Sequence, residues 1–136
     1  MNNTAVVKQH YSSPELLARI EEGLHKMAKG WDTITLDDLA PVDEFHTRAR
    51  AATIELIQML GVTADMHVLD IGSGLGGPAR HLAATSGCKV TGIDLSEDYC
   101  AVGEILNEWL GLMDKVSRNR SDPSHSKIGI FLEKLP

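Results

Sequence analysis

A glycine-rich segment between a short apolar run and a helix pattern is the feature that most constrains this chain. Residues 68–83 read VLDIGSGLGGPARHLA, in which Gly72, Gly74 and Gly77 have the spacing G-x-G-x-x-G. The first glycine permits a tight turn, the second lets a ligand approach bare backbone, and the third allows close packing of helix on strand. With the free N–H groups of a helix N-terminus, this favours a site for a nucleotide-like ligand. The alternative is a tight connector that binds nothing.

The pattern around this turn predicts an α/β fold. Residues 67–71 are a nearly continuous apolar run, typical of a buried parallel strand, and residues 89–94 follow at the spacing of a βαβ unit. Pro78 marks the start of the helix between them, and Ser96 caps a later helix that Gly111 ends. We expect two further strands, at residues 114–120 and 128–132.

The first 61 residues carry helix patterns only. Ser13 is placed to cap a first helix that ends at Gly30, and a short helical turn should end at Pro41, because proline disfavours helix in the residue before it. Asp43 is placed to cap a longer helix that runs to about Leu60. We therefore predict an N-terminal helical cap region at residues 1–61.

Two aspartates at strand ends narrow the class of ligand. Asp70 lies two residues before the first glycine, where a pyrophosphate beside a buried carboxylate would be penalised by several kcal/mol. A ligand with a cationic end gains instead, and S-adenosylmethionine, with its sulfonium and ammonium, fits. Asp94 ends the second strand and can accept both hydroxyls of an adenosine ribose, with Leu95 against the adenine. Each aspartate has a simpler reading as a turn or helix cap, and Leu95 as a core residue.

Composition excludes several other classes. The 136 residues carry a net charge of −6, which argues against a nucleic-acid binder. The two cysteines are too few for a disulfide scaffold and lack zinc-ligand spacing. No apolar stretch approaches the roughly 18 residues that span a bilayer, and the N-terminus has no signal pattern. We expect a cytoplasmic protein without membrane, nucleic-acid or metal partners.

These motifs resemble those of a known family. Residues 68–80, VLDIGSGLGGPAR, are similar to the cofactor motif of class I S-adenosylmethionine-dependent methyltransferases, and residues 90–96, VTGIDLS, to their second motif. The GLGGPAR form resembles the enzymes that methylate glycine, sarcosine, dimethylglycine or phosphoethanolamine. Residues 38–41 and 43–48 are similar to the N-terminal region of that group. The resemblance covers roughly residues 11–122.

The resemblance implies a Rossmann-like fold and a set of cofactor contacts. Asp70 and the glycines would hold the methionine end of S-adenosylmethionine, Asp94 the ribose, and Asp122 the adenine amino group, unless Asp122 is a plain turn residue. The expected cofactor-binding residues are Asp70, Gly72, Ser73, Gly74, Gly76, Gly77, Asp94, Leu95 and Asp122. The implied partner is a small-molecule methyl acceptor, an amine. No residue is identified as catalytic.

The resemblance stops after Asp122, and four strands at most are expected where the family has seven. We therefore predict an S-adenosylmethionine-binding βαβ half at residues 62–122, a divergent tail at 123–136, an incomplete parallel sheet and weak or absent activity. An unpaired central strand would favour association of two copies. Two alternatives stay open: a non-catalytic remnant that binds the cofactor or a partner, and a fragment of an NAD-dependent dehydrogenase.

Overall fold

A four-stranded sheet with helices on one face organises the computed structural model, which describes residues 13–43, 49–120 and 130–134. The elements in chain order are α1 (Ser13–Lys26), α2 (Leu36–Asp43), α3 (Ala49–Leu60), β1 (Met66–Ile71), α4 (Gly77–Ser86), β2 (Lys89–Asp94), α5 (Glu97–Trp109), β3 (Val116–Arg120) and β4 (Ile130–Lys134). The strand order is β3-β2-β1-β4, with β1, β2 and β3 parallel. The predicted Rossmann-like α/β fold with its parallel strands is confirmed.

The register of the parallel strands builds the core beneath the helices. Val68 pairs with Val90, and Val90 with Val116, so three valines lie side by side across β1, β2 and β3. Each is at most 2% exposed, and Ala79 and Leu82 of α4 pack against them. Because side chains alternate along a strand, this register places one apolar row under α4.

The opposite face of the same strands carries a polar row. His67 Nε2 lies 2.7 Å from Thr91 Oγ1, which lies 3.2 Å from Ser117 Oγ. The three side chains come from neighbouring strands and form a hydrogen-bonded line across the sheet. The apolar run of β1 is therefore buried on one face only, and its other residues are half-buried.

A second apolar cluster joins the N-terminal helices to α5. Helix α1 lies along α5, and α2 contacts α4. The buried members of this cluster are Ile20, Leu24, Ile34, Leu39, Leu75, Val102 and Leu106. Because Leu75 belongs to the glycine-rich turn, the N-terminal helices pack directly on the segment that the sequence singled out.

The first helix ends earlier than predicted. It ends at Lys26 rather than Gly30, because Ala28 takes the left-handed conformation at φ +55°. The N–H of Lys29 then donates to the carbonyl of Leu24 at 2.9 Å, which closes the helix end. Ala28 thus ends the helix, which is the role that the sequence predicted for Gly30.

The second helix runs through Pro41, which the sequence analysis expected to end it. Helix α2 continues to Asp43, the residue expected to cap the next helix. Leu39 is fully buried and Asp43 is 6% exposed, so contacts on both sides of the proline hold this turn. Tertiary packing thus compensates for the hydrogen bond that proline cannot donate. The next helix, α3, is described from Ala49, after the undescribed residues 44–48, and its end at Leu60 before Gly61 is as predicted.

The fourth strand corrects two expectations. Within the described residues it covers 130–134, where 128–132 was expected, and it runs antiparallel to β1, with Val68 opposite Leu132. The central strand β1 is therefore paired on both sides, by β2 and β4, and is not the unpaired edge that was expected. No helix within the described ranges is long and apolar enough to cross a membrane.

Candidate functional site

The glycine-rich turn joins β1 to α4 and has a left-handed backbone at three positions. Gly72, Gly74 and Gly76 have φ angles of +77°, +54° and +89°. The N–H groups of Gly72 and Ser73 both donate to the carbonyl of Ile93, at 2.8 and 3.0 Å, which folds the turn back onto β2. A side chain on Gly74 would meet no atom within 4 Å, so its backbone borders open space. The tight turn at Gly72 and the bare backbone at Gly74 are as predicted.

Asp94 holds this turn from the end of β2. Its Oδ2 accepts from the N–H of Gly74 at 2.8 Å, and its Oδ1 accepts from the N–H of Ser96 at 2.9 Å. Ser96 in turn caps α5 by accepting from the N–H of Tyr99 at 3.2 Å. Asp94 thus bonds to the backbone of both the turn and the start of α5. This is the capping role that was the simpler interpretation of this aspartate. Each carboxylate oxygen keeps a further lone pair for a hydroxyl donor.

Asp70 lies at the end of β1 among apolar side chains. It borders a cavity of about 250 Å³ between α3 and α4, whose wall includes Leu56, Pro78 and Leu82. Burial raises the pKa of Asp70, the positive charge of Arg118 opposes that rise, and the charge of Asp94 adds to it. A carboxylate in such surroundings gains from a cationic neighbour.

A cleft of about 300 Å³ opens over the turn. Its wall includes the backbone of residues 72–75, Asp43, Pro78 and Tyr99. Leu95 stands 44% exposed directly after Asp94, so it is not the core residue of the simpler reading. Tyr99, which the sequence analysis did not select, contributes the aromatic side of the cleft. The only sequence signal for it was its position in the first turn of the helix that Ser96 caps.

The third glycine of the motif has a different partner from the one predicted. A Cβ atom on Gly77 would lie 2.5 Å from Asp43 Oδ1, so this glycine admits the end of α2 rather than packing α4 on a strand. Asp43 then accepts from Arg80 at 2.8 Å, and both side chains are almost completely buried. Arg80 also donates to Asn107 Oδ1 at 3.0 Å. It therefore lies in the interior, out of contact with solvent.

Arg118 is the residue of this region that the sequence analysis missed. It comes from the middle of β3, is 6% exposed, and donates to Ser73 Oγ at 3.1 Å and to the carbonyl of Gly74. From the sequence it only interrupts an apolar–polar alternation. The expected adenine contact, Asp122, lies outside the described residues.

The glycine-rich turn and the two strand ends beside it have features that a sulfonium nucleoside requires. The bare backbone of Gly74 borders open space, Asp70 at the end of β1 is a half-buried carboxylate on the neighbouring cavity, and Asp94 at the end of β2 supplies acceptor oxygens beside the exposed Leu95. The described residues therefore fit S-adenosylmethionine, and an anionic pyrophosphate fits less well beside Asp70.

Comparison with known proteins agrees with this geometry. The chain is 39% identical over 67 residues to the sterol 24-C-methyltransferase of Eremothecium gossypii, a match that covers 49% of this chain and 18% of that protein. It is 43% identical over 61 residues to the sarcosine/dimethylglycine N-methyltransferase of Halorhodospira halochloris, with 45% and 21% covered. The chain thus spans about a fifth of the length of these curated relatives. No family model matches it.

Solved structures extend the match to the fold. A SAM-dependent methyltransferase from Thiobacillus denitrificans, in complex with S-adenosyl-L-homocysteine, superimposes with a TM-score of 0.55 at 26% identity. The superposition covers 71% of this chain and 42% of that one. Over the part of its length that these proteins match, the chain is similar in sequence and in fold to class I S-adenosylmethionine-dependent methyltransferases.

Proposed function

We propose that this chain binds S-adenosylmethionine in the cleft over the glycine-rich turn. The observation that carries the proposal is the open backbone of Gly74, held by Asp94, with the half-buried carboxylate of Asp70 at the end of β1, two residues before the turn begins. The fold neighbour with S-adenosyl-L-homocysteine supports the same cofactor class.

The residues divide by the part of the cofactor they would meet. Asp70 would balance the positive charge of the methionine end, and the backbone of Gly72, Ser73, Gly74, Gly76 and Gly77 would let that end approach. Asp94 would accept from the ribose hydroxyls, Leu95 would cover the adenine, and Asp122 would accept from its amino group. When bound, S-adenosylmethionine supplies an electrophilic methyl group. The contribution of these residues is to hold and orient it and to exclude water.

We further propose a small-molecule acceptor, an amine. The 43% identity to a sarcosine/dimethylglycine N-methyltransferase supports this class, and the sterol 24-C-methyltransferase match keeps a carbon acceptor as the competitor. Because the chain spans about a fifth of those proteins, we keep the prediction that these 136 residues alone have weak or absent turnover.

Calorimetric titration tests the cofactor. We expect S-adenosylmethionine and S-adenosylhomocysteine to bind and NAD to leave the chain unliganded. Binding of NAD alone would favour the dehydrogenase alternative, and binding of neither adenosyl compound would refute the proposal.

An Asp94→Ala variant tests the site within the chain. It removes the anchor of Gly74 and the acceptor oxygens for the ribose, so we expect binding to weaken by about 1–3 kcal/mol. Asp114→Ala is a matched control, because Asp114 is exposed in the loop before β3. Equal affinity of the two variants would contradict the assignment of Asp94.

The second candidate is a protein that binds the cofactor without transferring its methyl group. The described wall of the cleft favours it, because Asp43 is committed to Arg80 and Ser73 to Arg118. Radiolabelled methyl transfer to sarcosine, dimethylglycine and phosphoethanolamine separates the candidates: labelled product supports the enzyme, and saturable binding without product supports the second candidate.

A further inference from the structure

The guanidinium of Arg118 occupies a slot between two glycines. A Cβ atom on Gly103 of α5 would lie 2.5 Å from Arg118 Nη1 and 2.8 Å from its Cζ, and one on Gly76 would also collide with Nη1. Glycine inside a helix is unfavourable relative to alanine, so Gly103 needs a packing reason. The slot for Arg118 supplies that reason.

The hydrogen bonds of the interior leave the guanidinium of Arg118 only partly satisfied, although its positive charge favours the ionised form of Asp70. Within the described part of the chain, Nε and Nη1 of Arg118 are buried without a hydrogen-bond partner. Arg80, the neighbouring arginine, is the one that pairs with Asp43. A buried cation with unsatisfied donors costs free energy.

The contacts that Arg118 does make are concentrated on the turn. It donates to the carbonyl of Gly74, whose N–H donates to Asp94, so one residue is held through both of its backbone polar groups. The two holding side chains carry opposite charges and come from neighbouring strands, β3 and β2. Arg118 also binds Ser73 Oγ, which fixes the preceding residue.

We propose that Arg118 is a positioning residue that sets the backbone of Ser73 and Gly74 for the ligand, in a slot that Gly76 and Gly103 keep open. This inference rests on the proposed function for its ligand. The arrangement itself can be tested without one.

Arg118→Met tests the proposal, since methionine fills the slot without donors or charge. In the unliganded chain we expect the Gly74 amide to exchange its hydrogen about 10-fold faster or more, while the Val90 amide, bonded to Lys115 in the sheet, is unchanged. Affinity for S-adenosylhomocysteine should fall about 10- to 100-fold, the loss of a charge-assisted hydrogen bond. Arg19→Met, at an exposed ion pair on α1, is the matched control and should change neither quantity.

A substitution in the slot gives an independent arm. Gly103→Ala should displace the guanidinium and weaken S-adenosylhomocysteine binding in the native background. It should have no such effect in an Arg118→Ala background, where the slot is empty. Equal effects of Gly103→Ala in both backgrounds would overturn the proposal.

The exchange data separate failure of this inference from failure of the proposed function. The positioning role would be overturned, even if the cofactor binds, by an unchanged exchange rate of the Gly74 amide in Arg118→Met. An equal rise in the exchange rate of the Val90 amide would overturn it as well, because it would report a general loosening of the fold. A different pair of results would support the positioning role and refute the proposed function. In that case Arg118→Met speeds exchange at Gly74 alone, and the native chain binds no adenosyl compound.

Discussion

The half-buried carboxylate of Asp70 lowers the stability of the unliganded fold, and we propose that the same charge favours binding of a cationic ligand. Burial raises its pKa above the ordinary value of 3.8. The folded chain therefore binds a proton at Asp70 more readily than the unfolded chain does. Between the ordinary and the raised pKa, the free energy of unfolding falls as the pH rises. Where the group is ionised it destabilises the unliganded fold, and we propose that a cationic ligand recovers that energy.

Asp70→Asn separates these two effects. We expect the free energy of unfolding at pH 7 to rise and its dependence on pH just above 3.8 to weaken, because the buried charge is gone. Affinity for the sulfonium S-adenosylmethionine should fall more than affinity for the neutral S-adenosylhomocysteine. Urea denaturation across pH and titration with both ligands measure this. An equal loss for the two ligands would mean that Asp70 does not act on the sulfonium and would assign its charge to the ammonium group that both ligands carry.

Helices α2 and α4 are joined by one buried ion pair, Asp43 with Arg80. Burial lowers the pKa of Arg80, and the carboxylate of Asp43 counters that shift. The pair stands where Gly77 lets α2 approach the start of α4, so it holds the N-terminal helices on the segment that forms the cleft. The position of the cleft wall thus depends on contacts between elements that lie 37 residues apart in sequence.

Asp43→Ala leaves Arg80 buried without its carboxylate. Removing one partner of a buried pair typically costs about 3–5 kcal/mol, and we expect a loss of that size in urea denaturation. Asp32→Ala, in the exposed loop after α1, is the control and should stay within about 0.5 kcal/mol of the native chain. A small loss at Asp43 would mean that water reaches Arg80.

The four-stranded sheet brings the distant segment 130–134 against β1. Because β4 pairs with β1 along Met66–Asp70, the described edges of the sheet are β3 and β4. Association of two copies through an exposed edge stays a prediction, and β1 is no longer the strand that would mediate it.

Replacing both Phe131 and Leu132 by proline tests whether pairing with β4 protects β1 from association with a second copy. Successive N–H groups of a strand point in opposite directions, so one of the two prolines must remove a donor that faces β1. We expect the variant to associate with rising concentration in size-exclusion chromatography with light scattering, and to do so more than the native chain. The double alanine variant keeps both N–H groups and is the control. No difference between the proline and alanine variants would contradict a protective role for β4.

Local patterns predicted most of the secondary structure and much of the site. The short apolar runs, the glycine turn, Pro78 and the Ser96 cap are patterns that act over a few residues, so β1, β2, α4 and α5 followed from the sequence. The roles of Gly72 and Gly74 followed as well, because a tight turn and an open backbone are local properties. The positions of Asp122 and of residues 44–48 stay predictions, since they lie outside the described ranges.

Long-range contacts decided the rest. Helix α2 passes Pro41 because Leu39 and Asp43 are buried on either side of it, and Gly77 admits Asp43 rather than a strand. Arg80 and Arg118 are interior residues because their partners come from α2, α5 and the turn. A charged residue in a sequence is expected to be exposed to solvent, since burying a charge alone is costly. Only the assembled fold supplies the carboxylate, the carbonyl and the glycine slot that place it inside.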